Sequence, residues 1–169
     1  MTIEEAKKVL EIEAQGILNL VDRVGPEFEK AVEMILNAKG RVILTGMGKS
    51  GLIGRKITAT FNSTGTPSLF LHPGEAIHGD LGMVTSEDIV LAISNSGQTT
   101  EINTILPILK EMGAKIISFT GALDSPMAEG SDVAIDVGVE REACPMGLAP
   151  TARSRLANKT VNSQMHPAT

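Results

Sequence analysis

A chain of 169 residues with 42% hydrophobic content suits one globular domain that buries roughly two-thirds of its surface. Its only aromatic residues are four Phe and its formal net charge is -5, which argues against the stacking platforms and basic surfaces of nucleic-acid binders. Cys144 is the single cysteine, no apolar run approaches the roughly 18 residues of a membrane span, and Glu4 and Glu5 spoil a signal-peptide start, so a reducing cytoplasm is the expected setting.

The first element is a helix opened by a capping box, Thr2 with Glu5, and carried by Ala6, Val9, Leu10, Ala14, Ile17, Leu18 and Val21 at helical spacing. Pro26 suits the first turn of a second helix, which Phe28, Val32, Ile35 and Leu36 continue towards Gly40. From residue 41 the period changes. Short apolar runs, "RVILT", "PSLFL", "DIVLAIS", "KIISFT" and "DVAIDV", alternate at first with helical stretches at Ser50 to Phe61 and Thr100 to Met112. Continuous apolar strands between helices predict an α/β fold with a parallel sheet covered on both faces. Pro107 predicts a kink in the later helix. Ligands of such sheets bind at the strand-to-helix turns beyond the carboxyl ends of the strands.

The first such turn, in "RVILTGMGKSGLIGRK", has the look of a phosphate loop. Gly46, Gly48 and Gly51 match a dinucleotide fingerprint, but the next strand ends in His72 and Pro73 with no acid before Glu75 to hold a ribose. A nucleotide P-loop would need glycine where Ile43 stands. The turn after "DIVLAIS" carries Ser94, Ser96, Thr99 and Thr100 around Gly97, four hydroxyls where one helix cap needs one. A nucleophile elbow would need glycine at position 94. Two phosphate-friendly turns without nucleotide partners point to a small phosphorylated substrate.

Lys49, Glu101 and Glu142 follow three of these strands. Each alone reads as a solvated charge, and His72 and His78 as structural histidines. Together, a carboxylate base beside a phosphate site and a cation to stabilise an enediolate fit aldose–ketose isomerisation. Cys144 precedes a proline and has no evident basic partner, so it reads as structural.

The segments "GMGKSGLIGRK", "STGTPSLFLHPGEAIHGDLGMV", "ISNSGQTTEI" and "EACPMGLAPT" together resemble the sugar isomerase (SIS) domain of the arabinose-5-phosphate isomerase family. The resemblance covers about residues 2–151 and implies a three-layer sandwich, a five-stranded parallel sheet between helices wound in the flavodoxin-like manner. It implies interconversion of ribulose 5-phosphate and arabinose 5-phosphate through an enediol, supplying the eight-carbon acid sugar of lipopolysaccharide or capsule. By position it assigns catalysis to Lys49, Glu101 and Glu142, with Glu142 as the base. Substrate binding falls to Ser50, Gly65, Thr66, His78, Ser94, Asn95, Ser96 and Thr99. It also implies that no cofactor is required, that His72 is a ligand of an inhibitory zinc, and that the chain forms homotetramers with sites built across subunits.

The resemblance stops after Thr151. There "ARSRLANKTVNSQMHPAT" replaces the family's apolar helix and downstream catalytic histidine, and the two CBS domains frequent in relatives do not follow. Residues 1–150 are therefore expected to be the isomerase domain, and residues 151–169 a disordered or adventitious tail from a truncation or shifted frame. His166 matches nothing in the family. The expected result is an intact phosphate pocket with impaired turnover. The rival readings are a non-catalytic sugar-phosphate sensor and a hexulose-6-phosphate isomerase.

Overall fold

The computed structural model of the chain describes residues 2–139. Glu142, Cys144 and the expected tail lie outside them. Thr2 and Glu5 form the capping box, Thr2 Oγ1 accepting from the Glu5 N–H and Glu5 Oε2 accepting from the Thr2 N–H. It opens helix α1, Ile3–Leu18, and a 3-10 turn at Val21–Arg23 leads to α2, Pro26–Leu36. The remaining elements are β1 Val42–Gly46, α3 Gly48–Ser63, β2 Ser68–Leu71, α4 Pro73–Ile77, a second 3-10 turn at Asp80–Met83, β3 Ile89–Ile93, α5 Thr100–Glu111, β4 Lys115–Thr120, α6 Pro126–Glu129 and β5 Val133–Asp136. Helix α5 continues through Pro107 as one element.

All strand pairings are parallel and the order is β2-β1-β3-β4-β5. Strands β1 and β3 are buried along their whole length, which is why their sequences read as unbroken apolar runs. Successive side chains divide between two cores. Val42, Leu44, Leu91 and Ile117 pack with Phe28 and Ala31 of α2 and Ile57 and Phe61 of α3. Ile43, Val90, Ala92 and Ile116 pack with Ile102, Ile105 and Leu109 of α5, Ala76 of α4 and Met127 of α6. The sandwich is thus α2/α3, sheet, α4/α5/α6. Among the described residues no helix is long and apolar enough to cross a membrane.

At the amino ends of the two central strands sits a buried carboxylate, Asp88, only 1% exposed. It accepts from the Arg41 N–H at 2.7 Å, Arg41 Nη2 at 3.1 Å, the Thr85 N–H at 2.8 Å and Thr85 Oγ1 at 3.0 Å. Burial alone would raise its pKa. The Arg41 side chain, then the backbone and hydroxyl donors, outweigh that and hold the group below the usual carboxylate range. A lowered folded-state value means the carboxylate stabilises the fold above about pH 4, and the contribution drains away as pH falls through that value. Replacement Asp88→Ala is expected to remove about 1–3 kcal/mol at pH 7, because the Arg41 and Thr85 N–H groups lose their acceptor while the Arg41 guanidinium remains open to water. Asp88→Asn should flatten the loss of stability as pH falls below about 4, where the unfolded carboxyl takes up its proton before the folded one does. Urea melts across that range check both.

Candidate active site

In register, Gly46 of β1 stands beside Ile93 of β3, so the turns that leave these strands rise side by side. The helices that follow diverge, α3 to one face of the sheet and α5 to the other. That opens a crevice at the point where strand order reverses, where open α/β sheets bind ligands. The glycine turn with Lys49 and Ser50, and the hydroxyl turn from Ser94 to Thr99, form its two sides. His72 and His78 reach the same end of the sheet, just past the carboxyl end of β2, which neighbours β1.

Ser94 is buried, and its Oγ shares a 2.7 Å hydrogen bond with Thr99 Oγ1. Thr99 occupies the N-cap of α5, yet no side chain caps that helix. Its hydroxyl is spent instead on closing the turn. The start of α3, after Met47, likewise lacks a side-chain cap, as does α2 after Gly25, whereas α1, α4 and α6 are capped by Thr2, His72 and Ser125. Two helices of more than ten residues therefore aim first-turn N–H groups without side-chain caps, and their positive dipole ends, into one crevice. An anion with several acceptor oxygens fits there. Ser96, exposed, accepts from the Gln98 N–H at 3.2 Å, and Glu101 sits half-buried in the first turn of α5.

The glycines divide into two kinds. Gly48 (φ +52°) and Gly97 (φ +61°) take the left-handed conformation that their turns require. Gly46, Gly51 and Gly54 serve close packing: a Cβ on Gly51 would lie 2.6 Å from Gly46 O, and one on Gly54 2.9 Å from the Phe70 ring. Much of the apparent fingerprint is thus helix α3 pressed onto β1 and β2.

Several supporting residues carried no motif. Asn103 Nδ2 donates to Gly97 O at 3.1 Å and holds the hydroxyl turn from inside α5. The only signal was a polar residue adjoining the helix's apolar stripe. Gly121, just past β4, donates its N–H to Asn95 O at 2.9 Å. A Cβ at Gly121 would lie 2.8 Å from Asn95 Oδ1 and 3.1 Å from Gly138 Cα. Gly121→Ala is therefore expected to push the turn out of place and weaken inorganic phosphate binding about tenfold, read by titration calorimetry. Unchanged affinity would separate Asn95 from the anion site.

Not every expected residue meets here. Gly65 and Thr66 lie at the far end of α3, before the amino end of β2, about 24 Å along the helix axis from the crevice. Within one chain they are outside it. His72 Nδ1 accepts from the Gly74 N–H at 3.2 Å, so only Nε2 is left for a metal. Among the described residues no three His, Cys, Asp or Glu converge, and zinc takes four ligands. Glu142 lies outside the described residues, beyond Gly138, which itself contacts Gly121.

A family profile described as "SIS domain" matches residues 34–161. Arabinose 5-phosphate isomerase KdsD of Pseudomonas aeruginosa is 51% identical over 150 residues, covering 89% of this chain and 46% of that protein. The protein of the same name from Escherichia coli K12 is 52% identical over 149 residues, 88% of this chain and 45% of the relative. The chain thus spans about half the length of the curated relatives it matches. The solved structure of Escherichia coli CFT073 c3406 in complex with arabinose 5-phosphate superposes with a TM-score of 0.88 at 40% identity, covering 96% of this chain and 89% of that one.

Proposed function

Because the chain belongs to the SIS-domain family, we propose that its crevice binds a sugar phosphate and isomerises it between ribulose 5-phosphate and arabinose 5-phosphate. The observation that carries this reading is the side-by-side placement of two helix starts without side-chain caps at the β1/β3 switch point. The identities of 51–52% to arabinose 5-phosphate isomerases favour this substrate over a hexulose 6-phosphate.

In this reading the phosphate sits on the first turn of α5, held by Ser94, Asn95, Ser96 and Thr99, with Ser50 opposite. Fixing the phosphate places C1 and C2 near the catalytic groups. Glu142 takes the proton from C2 of arabinose 5-phosphate, the C1 carbonyl oxygen gains a proton, and the enediol forms. Return of a proton to C1 and loss of the C2 hydroxyl proton give the ketose. Lys49 stabilises the negative oxygen, and Glu101 relays protons between the two oxygens. His78 orients the sugar hydroxyls. No cofactor takes part. An inhibitory zinc would draw one ligand from His72 and the others from outside the described residues.

Gly65 and Thr66 join such a site only from another copy of the chain, which makes a homo-oligomer, and in this reading a tetramer, part of the proposal. Ile3, Leu10, Leu18, Val21 and Val24, all exposed along α1 and its connector, supply apolar surface for that assembly. The cytoplasm and the supply of the eight-carbon acid sugar for lipopolysaccharide or capsule belong to the same reading.

The test is NMR of the 169-residue chain with ribulose 5-phosphate in deuterated water. Arabinose 5-phosphate labelled at C2 is the expected product. Saturable binding without turnover would leave a sugar-phosphate-binding domain of the sensor type. Absence of both would overturn the assignment.

A further inference from the structure

Gly97 is buried while its neighbours Ser96 and Gln98 are exposed. Its carbonyl turns inward, and two groups hold it there. Asn103 Nδ2 of α5 donates to it at 3.1 Å, and the Met127 N–H of α6 at 3.3 Å. Across a planar trans peptide the C=O and the following N–H point in opposite directions. Fixing Gly97 O inward therefore turns the Gln98 N–H outward, where it donates to Ser96 Oγ at 3.2 Å. A serine hydroxyl that accepts this bond keeps its own O–H to donate. One chain of bonds thus runs from inside α5 to the exposed lip of the hydroxyl turn.

We infer that Asn103 is a positioning residue for the anion: its hold on Gly97 O fixes the peptide plane that aims the Gln98 N–H and the Ser96 hydroxyl at the crevice. The inference rests on the anion-site reading above. A packing role does not account for this side chain. Asn103 Oδ1 is buried with no hydrogen-bond partner among the described residues, a cost that leucine in the same place would avoid. The amide cannot turn over to relieve it, because Oδ1 would then meet Gly97 O, a second acceptor. What asparagine supplies and leucine does not is the donor to Gly97 O. Without it the Met127 N–H remains as a single tie, about which the peptide plane can rock.

The experiment titrates inorganic phosphate into the full chain by calorimetry, as wild type, Asn103→Leu, Ser96→Ala and the double variant, each well below its Tm. Expected for Asn103→Leu is phosphate affinity about fivefold weaker, the net worth of one hydrogen bond. Its Tm should stay within about 3 °C of wild type, because Met127 still holds Gly97 O and the buried orphan acceptor is gone. Both changes act on one donor pair, so the double variant should lose about threefold less affinity than the product of the single losses. A loss smaller than about twofold in Asn103→Leu overturns the inference whatever the Tm, as do single losses that simply multiply. Wild-type chain that binds no phosphate would sink the anion-site reading instead. The lock would then be judged by solvent exchange of the Gln98 amide, expected about fivefold faster in Asn103→Leu and overturned if unchanged.

Discussion

Replacing Gly97 by alanine is expected to weaken phosphate binding and to destabilise the fold together. Gly97 sits at φ +61°, where an alanine Cβ is strained, and the added carbon would be built onto Oγ and Cβ of Ser125. Neither partner can yield cheaply. Gly97 O is held by Asn103 Nδ2 and the Met127 N–H, and Ser125 Oγ donates to Ala122 O while accepting from the Ala128 N–H at the start of α6. Strain and clash together should cost about 3 kcal/mol or more, with phosphate affinity lowered more than about tenfold. Thermal melts and calorimetric titration with inorganic phosphate check the two effects. A second change, Ser125→Gly, removes the clash but not the backbone strain, so the double variant should regain part of both losses. If Gly97→Ala binds phosphate like wild type, the hydroxyl turn is not the anion site.

The larger expected effect on rate belongs to Glu142→Gln. Glutamine keeps the size and polarity of the side chain but cannot accept a proton, so an enediol base should lose about 10²–10⁴ in kcat. Phosphate affinity should stay near wild type, because the proposed anion site is made of helix starts and hydroxyls that follow β1 and β3. Deuterium incorporation at C2 should fall in parallel with turnover, since both depend on the same proton abstraction. Unchanged turnover would remove Glu142 from the mechanism and shift the base to Glu101, in the first turn of α5.

How far the sequence revealed these features follows from burial and period. The five strands were legible because the inner ones are covered on both faces and leave unbroken apolar runs. The long helices were legible from their apolar stripes, although α3 starts at Gly48, two residues before the expected Ser50. Helices α4 and α6, five and four residues long, are too short to show a period. Their trace was chemical: His72-Pro73 and Ser125-Pro126 each place a capping side chain before a proline at the first helical position. The phosphate reading of the hydroxyl turn came from counting donors, and the pairing of Ser94 with Thr99 explains where two of them go. Strand order was not legible from apolar periods alone. Without it nothing places Gly46 next to Ile93, or Gly65 and Thr66 away from both.

That strand order also dictates when the crevice can come into being as the chain folds. The contact Val42↔Ile89 closes a loop of 47 residues (89 − 42), against 26 for Val42↔Ser68 and Ile89↔Lys115, and 16 for Ile117↔Val133. Closing the longest loop carries the largest entropic cost, although the excess over a 26-residue loop is only about 0.5 kcal/mol. The Arg41–Asp88 bonds span the same 47 positions and latch that closure at its foot. Each half of the molecule, β1–β2 and β3–β4–β5, pairs its strands over shorter loops, and neither holds both walls of the crevice. Ligand competence is thus tied to the longest-range strand contact in the topology, and a ligand held in the crevice would report on the docking of two halves rather than on either one.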